Sequence, residues 1–179
     1  MSYCNFVSTL PEKHVHRIYH DTEYGYPIQD DDLLFARLIL EINQAGLSWI
    51  TILNKKDNFF KAYHQFNIKR VAAYNEIDRS RLLNNPGIIR NRLKVEAAIY
   101  NANQILQLQK EEGSFYNWLV KHHTSTKDEW VKIFKKKFKF TGGEIVAEFL
   151  MSIGFLEGAH HEKCKLYKKI KILGPLFLK

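Results

Sequence analysis

Only two cysteines, Cys4 and Cys164, occur in the 179 residues, near opposite ends of the chain. With no secretory pattern at Met1-Ser2-Tyr3-Cys4, that scarcity argues against a disulfide framework. Apolar runs long enough to cross a bilayer are missing, which excludes a membrane partner or span. Strict apolar–polar alternation is missing too, so no half-buried strand is expected. Internal repeats, low-complexity segments and linkers are absent, which excludes a repeat array. Acidic charge is in deficit: 19 Asp plus Glu stand against 27 Lys plus Arg, for a net charge of +8. The expectation is a soluble, cytoplasmic protein: one domain over 1–179 of two closely packed helical lobes, with an anionic polymer as the natural partner.

What is present supports a real core. Hydrophobic residues make up 45% of the chain and aromatics 13%. Helical spacing predicts helices over 31–40, 49–56, 57–66, 67–74, 77–84, 90–112, 114–122, 127–136 and 143–153. Asn85-Pro86-Gly87 reads as a turn between two of them. The basic stretch 165–179 is either a terminal helix or a frayed tail. In Lys132–Phe140, Lys alternates with Phe, which suits either a solvated face over buried rings or a direct phosphate contact.

The segment Leu40-Glu41-Ile42-Asn43-Gln44-Ala45-Gly46-Leu47-Ser48-Trp49 carries the sharpest chemistry. Asp30 is placed to cap the preceding helix, with Asp31 and Asp32 in its first turn. On that helix Leu34, Leu38 and Glu41 share a face, so Glu41 points where burial is expected. Burying an unpaired carboxylate is costly. Glu41 is therefore either paired with Lys or Arg, or a functional acid in a pocket.

Three weaker patterns accompany it. Pro86-Gly87-Ile88-Ile89-Arg90, followed by Arg92 and Lys94, suits a phosphate: a Gly turn, a helix N-terminus and added positive charge. An ordinary Pro-Gly helix junction fits the same residues. Cys4, His20, His160 and Cys164 match a closed tetrahedral zinc set, with His160 and Cys164 four apart on one face; scattered histidines give the same spacing. The rings of Phe6, Tyr19, Tyr24, Tyr26 and Trp49 can sandwich a flat cation beside Glu41, or can simply be core.

Taken together, Cys4-Asn5-Phe6-Val7, Tyr19-His20-Asp21-Thr22-Glu23-Tyr24-Gly25, Gln44-Ala45-Gly46-Leu47-Ser48-Trp49, Pro86-Gly87-Ile88-Ile89-Arg90 and Phe138-Lys139-Phe140-Thr141-Gly142 resemble the 3-methyladenine DNA glycosylase I family over almost the whole chain. The resemblance implies an all-α helix–hairpin–helix glycosylase fold with one structural Zn2+ joining the chain ends through Cys4, His20, His160 and Cys164. It implies a monomeric base-excision repair enzyme, nucleoid-associated when on DNA. Such an enzyme hydrolyses the N-glycosidic bond of 3-methyladenine in alkylated double-stranded DNA and leaves an abasic site. In that frame Glu41 is the pocket carboxylate, Tyr19, Tyr24 and Trp49 line the pocket, and Phe6 stacks on the base. Pro86, Gly87, Ile88, Ile89 and Arg90 hold the DNA backbone.

Four positions depart from that pattern. Phe6 and Tyr24 stand where Trp is common, His16 where Tyr occurs, and Ile42 where Gly follows the acid. A β-branched Ile42 is expected to narrow the pocket or rotate Glu41. If it closes the pocket, the alternative is a non-catalytic DNA-binding protein on the same scaffold. A zinc metallohydrolase is a third reading, and it needs an open metal position that two Cys and two His do not leave.

Overall fold

The computed structural model describes residues 2–178; Met1 and Lys179, the limits of the expected domain, lie outside the described residues. Eleven α-helices and two 3-10 turns make up the secondary structure, with no strand among the described residues. The helices are α1 (Tyr3–Ser8), α2 (Val15–Thr22), α3 (Asp31–Gln44), α4 (Trp49–Ala62), α5 (Ile68–Ala72) and α6 (Glu76–Leu83). They continue with α7 (Arg92–Glu112), α8 (Phe115–Lys121), α9 (Lys127–Lys137), α10 (Gly143–Ser152) and α11 (Tyr167–Ile172). No described helix is long and apolar enough to cross a membrane.

Helix α3 is the hub, touching α4, α5, α7, α8 and α10. Every residue from Leu34 to Asn43 is buried, so this helix is enclosed all round rather than on one face. Its three leading acids explain how. Asp30 accepts from the Leu33 amide and caps α3 itself. Asp31 accepts from the amides of Phe115 and Tyr116 at 2.8 and 3.0 Å, capping α8. Asp32 accepts from the Ile68 amide at 2.9 Å, capping α5. Three consecutive carboxylates thus satisfy the otherwise unpaired N–H groups of three helix starts.

Several boundaries differ from the spacing-based expectation. The helices expected before and after Lys56 are one helix, α4, because no breaker separates them. It stops at Tyr63, where His64, Gln65 and Phe66 take positive φ in a 3-10 turn. Helices α1 and α2 were not expected; each is short, and α2 carries His at both its cap and its interior. Helix α7 starts at Arg92, two residues late, because Asn91 caps it through the Lys94 amide. Within the basic stretch, the described residues 165–178 form α11 and a 3-10 turn, with Ile170 and Leu176 buried. In α9 and its exit Phe134 and Phe138 are buried while Lys132, Lys135, Lys136 and Lys139 are exposed, so the basic run there is a solvated face over core rings.

Candidate active site and metal centre

Helices α1, α2, α3, α4 and α10 meet around a cleft of about 360 Å³. It lies within the usual ~300–1,000 Å³ of small-molecule sites. Its walls are Tyr3, Tyr19, Tyr24 and Trp49, and its polar groups are Glu41, Gln44, Glu144 and Glu148. The rings brace one another edge-on: Trp49 lies 5.2 Å from Tyr19, and Tyr3 lies 5.4 Å from Tyr24. The Tyr3 hydroxyl meets His16 Nδ1 at 2.9 Å.

Glu41 is only 5% exposed. Among the described residues it forms neither a salt bridge nor a hydrogen bond, so the paired-acid reading fails. Arg37, one turn earlier on α3, acts on it electrostatically but is engaged elsewhere. It donates to the Tyr19 hydroxyl at 2.6 Å and to Glu23 at 3.2 Å. Burial raises the Glu41 carboxyl to about 8; Arg37 opposes the shift and Glu148 adds to it. The site therefore holds an acid poised to ionise when a positive charge arrives.

Ile42 does not narrow this cleft. It is fully buried in the main core and absent from the lining. Successive helix residues point about 100° apart, so the side chain after Glu41 faces the core rather than the cleft. Phe6 also falls outside the lining: it is 39% exposed, with its ring 6.3 Å from that of Tyr3. Tyr3, which the sequence reading passed over, takes the inner position. Gln44, Glu144 and Glu148 were missed as well. Gln44 follows Glu41 by three residues, a spacing that could have found it; Glu144 and Glu148 lie a hundred residues away and carry no local cue.

The second constellation, which the resemblance implied and spacing alone did not favour, comes together in the fold. The ligand atoms of Cys4, His20, His160 and Cys164 all lie within 4.8 Å of one another. His160 Nδ1 sits 3.8 Å from Cys4 Sγ and 3.4 Å from Cys164 Sγ, and His20 Nε2 sits 3.7 Å from Cys164 Sγ. A tetrahedral zinc with Zn–S of about 2.3 Å and Zn–N of about 2.0–2.1 Å needs N···S edges of about 3.5 Å. The outer ring nitrogens are held: His20 Nδ1 donates to Asp21 Oδ1 and His160 Nε2 donates to the Tyr24 carbonyl, both at 2.7 Å. Those bonds place the protons outside and leave a lone pair facing inward on each ring. Gly25 lets the chain pass here: it has φ +78°, and a Cβ on it would meet Ala159 at 2.8 Å and His160 at 3.0 Å. A larger cleft of about 590 Å³ adjoins the cluster. Its charged groups are largely engaged with each other, Asp21 binding both Arg17 and Lys165.

The turn between α6 and α7 is less open than expected. Gly87 has no positive φ; it is required by close approach, since a Cβ would meet Asn85 Oδ1 at 3.0 Å and Asn58 at 3.2 Å. Its amide already donates to Asn85 Oδ1 at 2.8 Å, and the Pro86 carbonyl accepts from Lys55. Ile88 is core, Ile89 is half-buried, and Pro86 and Arg90 are exposed. Lys94 does not add to the exposed charge. It is buried, and its ammonium donates to the carbonyls of Asn43 and Ala45. Arg90 and Arg92 remain on the surface.

Comparison with known proteins places this architecture. The family model described as methyladenine glycosylase matches residues 10–133. The chain belongs to the 3-methyladenine DNA glycosylase I family. DNA-3-methyladenine glycosylase 1 of Escherichia coli (strain K12) is 37% identical in an alignment that covers 87% of this chain and 92% of that protein. A crystal structure of a 3-methyladenine DNA glycosylase I superposes with a TM-score of 0.79 at 36% identity, covering 87% of this chain and 96% of that one. The Staphylococcus aureus member, solved to show how it recognises 3-methyladenine, gives a TM-score of 0.81 at 30% identity, covering 92% and 97%. The family model covers neither α1 nor α10, so Glu144, Glu148 and three of the four Cys/His cluster residues, Cys4, His160 and Cys164, lie outside it.

Proposed function

We propose that this protein excises 3-methyladenine from alkylated double-stranded DNA by hydrolysing the N-glycosidic bond. A single glycosylase domain acting as a monomer is sufficient for this. Methylation at N3 makes the base cationic and its glycosidic bond weak. Water adds to the sugar C1′ and gives up a proton to solvent, the C1′–N9 bond breaks with its electron pair going to the cationic base, and an abasic site and free, neutral 3-methyladenine result. The protein has mainly to hold the extruded base and recognise its charge.

The observation that carries this reading is Glu41: a buried, unpaired carboxyl in an open, ring-walled cleft. A cation entering the cleft favours its ionised form, and the carboxylate then accepts a hydrogen bond from the adenine edge. Tyr3, Tyr19, Tyr24 and Trp49 stack on the base, with Phe6 supporting Tyr3. The α6–α7 turn, residues Pro86 to Arg90, acts as a helix–hairpin–helix grip. Arg90 and Arg92 meet phosphates, while Gly87, Ile88 and Ile89 shape the turn. Because Ile42 leaves the cleft open, nothing favours a non-catalytic DNA-binding role.

Cys4, His20, His160 and Cys164 hold one structural Zn2+, which supplies a cross-link between the chain ends and no reaction step. With four protein donors the site has no position for substrate, unlike a zinc hydrolase.

Chromatography of bases freed from methylated DNA tests the reading. Free 3-methyladenine is expected, with Glu41→Ala slowed at least a hundredfold. No released base, or an unimpaired Glu41→Ala variant, refutes it.

A further inference from the structure

The cleft is rich in carboxyl groups in a basic chain. Three of its eight lining side chains are carboxylates and none is a Lys or Arg, although the chain carries a net +8. The three acids are not equivalent. Glu41 is buried on α3. The Glu144 side chain is 90% exposed and pairs with Lys127 at 3.4 Å. Glu148, one helical turn further into α10, is half-buried and accepts a hydrogen bond from the Tyr24 hydroxyl at 3.1 Å. Among the described residues it has no cationic partner within salt-bridge distance, so its charge is held at the cleft by a neutral donor.

We propose that Glu148 is a second charge-recognition residue: fixed by Tyr24, its carboxylate makes the cleft prefer a positively charged purine over a neutral one of the same shape. This deepens the proposed function and rests on it. A second carboxylate in a half-buried site adds attraction for a cation that solvent screens only in part. A neutral purine gains nothing from it and must share the cleft with a charge it does not offset. The charged and titratable groups that act on Glu148 are Tyr3 from α1, Tyr24 after α2, Glu41 from α3, Lys127 from α9 and Glu144 from α10. Burial raises the Glu148 carboxyl, as it does that of Glu41, so each acid is readiest to ionise when a cation is present.

Two probes separate charge from shape: the 3,9-dimethyladeninium ion, positive at neutral pH, and neutral 9-methyladenine. Calorimetric titration of the intact protein is expected to show tighter binding of the cation. Glu148→Gln keeps the size and an acceptor for Tyr24. It should weaken cation binding about tenfold, the equivalent of ~1.4 kcal/mol, and leave the neutral probe within about twofold. Glu148→Asp keeps the charge and should hold the preference within about threefold of the parent. Equal loss for both probes in Glu148→Gln, no loss for the cation, or an Asp variant as impaired as Gln overturns the inference and reduces Glu148 to a prop for Tyr24. A parent protein that holds both probes equally overturns it too. Release of 3-methyladenine by the parent protein is measured separately, so the proposed function can stand while this inference falls.

Discussion

The Lys94 ammonium donates to the Ala45 carbonyl at 2.7 Å and, at the same time, to that of Asn43 at 2.8 Å. Lys94 lies in the first turn of α7, directly after the α6–α7 turn, while Asn43 and Ala45 end the helix that carries Glu41. One buried side chain therefore ties the turn proposed to grip DNA to the helix proposed to read the base. It satisfies helix-end carbonyls that have no partner within α3.

Replacing Lys94 by Met leaves those carbonyls without a donor. Hydrogen bonds from a charged group contribute ~1.5–3 kcal/mol each, part of it offset by relief of the buried charge. Glu41 and Gln44 sit within a turn of the released end, so base release should slow as well. Urea unfolding should show a net loss of about 2 kcal/mol. An unchanged midpoint would mean that the end of α3 closes without Lys94.

A second consequence concerns pH. In the unfolded chain Glu41 ionises near its ordinary 4.5; in the fold burial holds it protonated up to about 8. Between those values the folded protein keeps a proton that the unfolded chain has released, so stability falls as pH rises through the window. Glu41→Gln removes that term. The variant should match the parent in thermal unfolding at acidic pH and melt higher above about pH 8. Parallel stability curves across the range would show that Glu41 ionises normally in the fold.

Much of this was legible from residue patterns, and the failures have physical causes. Glu41 was found because a charged residue interrupted an apolar face, and such a conflict between period and polarity is visible in one dimension. The Cys/His set was legible as chemistry but not as geometry, since its halves are about 140 residues apart. Ile42 adjoins Glu41 in sequence but not at the cleft, because consecutive helix positions diverge and its side chain enters the core. Lys94 was read as surface charge because its true partners, two backbone carbonyls, leave no trace in side-chain identity. Glu148 was invisible for the same reason of distance: only the packing of α10 on α3 brings it to the cleft.

The Cys/His cluster predicts one zinc ion per chain on metal analysis. Asp21 fixes the His20 ring through a 2.7 Å hydrogen bond, and loss of such an outer partner typically weakens metal binding ~10–100-fold. Asp21→Asn should therefore give up zinc to a chelator at lower concentration than the parent. Cys164→Ser should lose it outright and melt at a lower temperature, because metal binding contributes to folding free energy. Stoichiometric zinc in Cys164→Ser would exclude the assigned ligand set.

Arg90 and Arg92 are the exposed cations beside the α6–α7 turn, and Lys94 is buried beneath them. DNA affinity measured over a salt series separates the three. If Arg90 neutralises one phosphate, Arg90→Ala should weaken binding to any duplex sequence and lower the slope of log affinity against log salt by about 1. Arg92→Ala should behave alike, and the double variant should lower the slope by about 2. Lys94→Met, whose charge faces inward, should leave the slope unchanged even where affinity drops through loosening of the turn. A slope that falls in Lys94→Met but not in Arg90→Ala would place the phosphate contacts elsewhere on this basic surface.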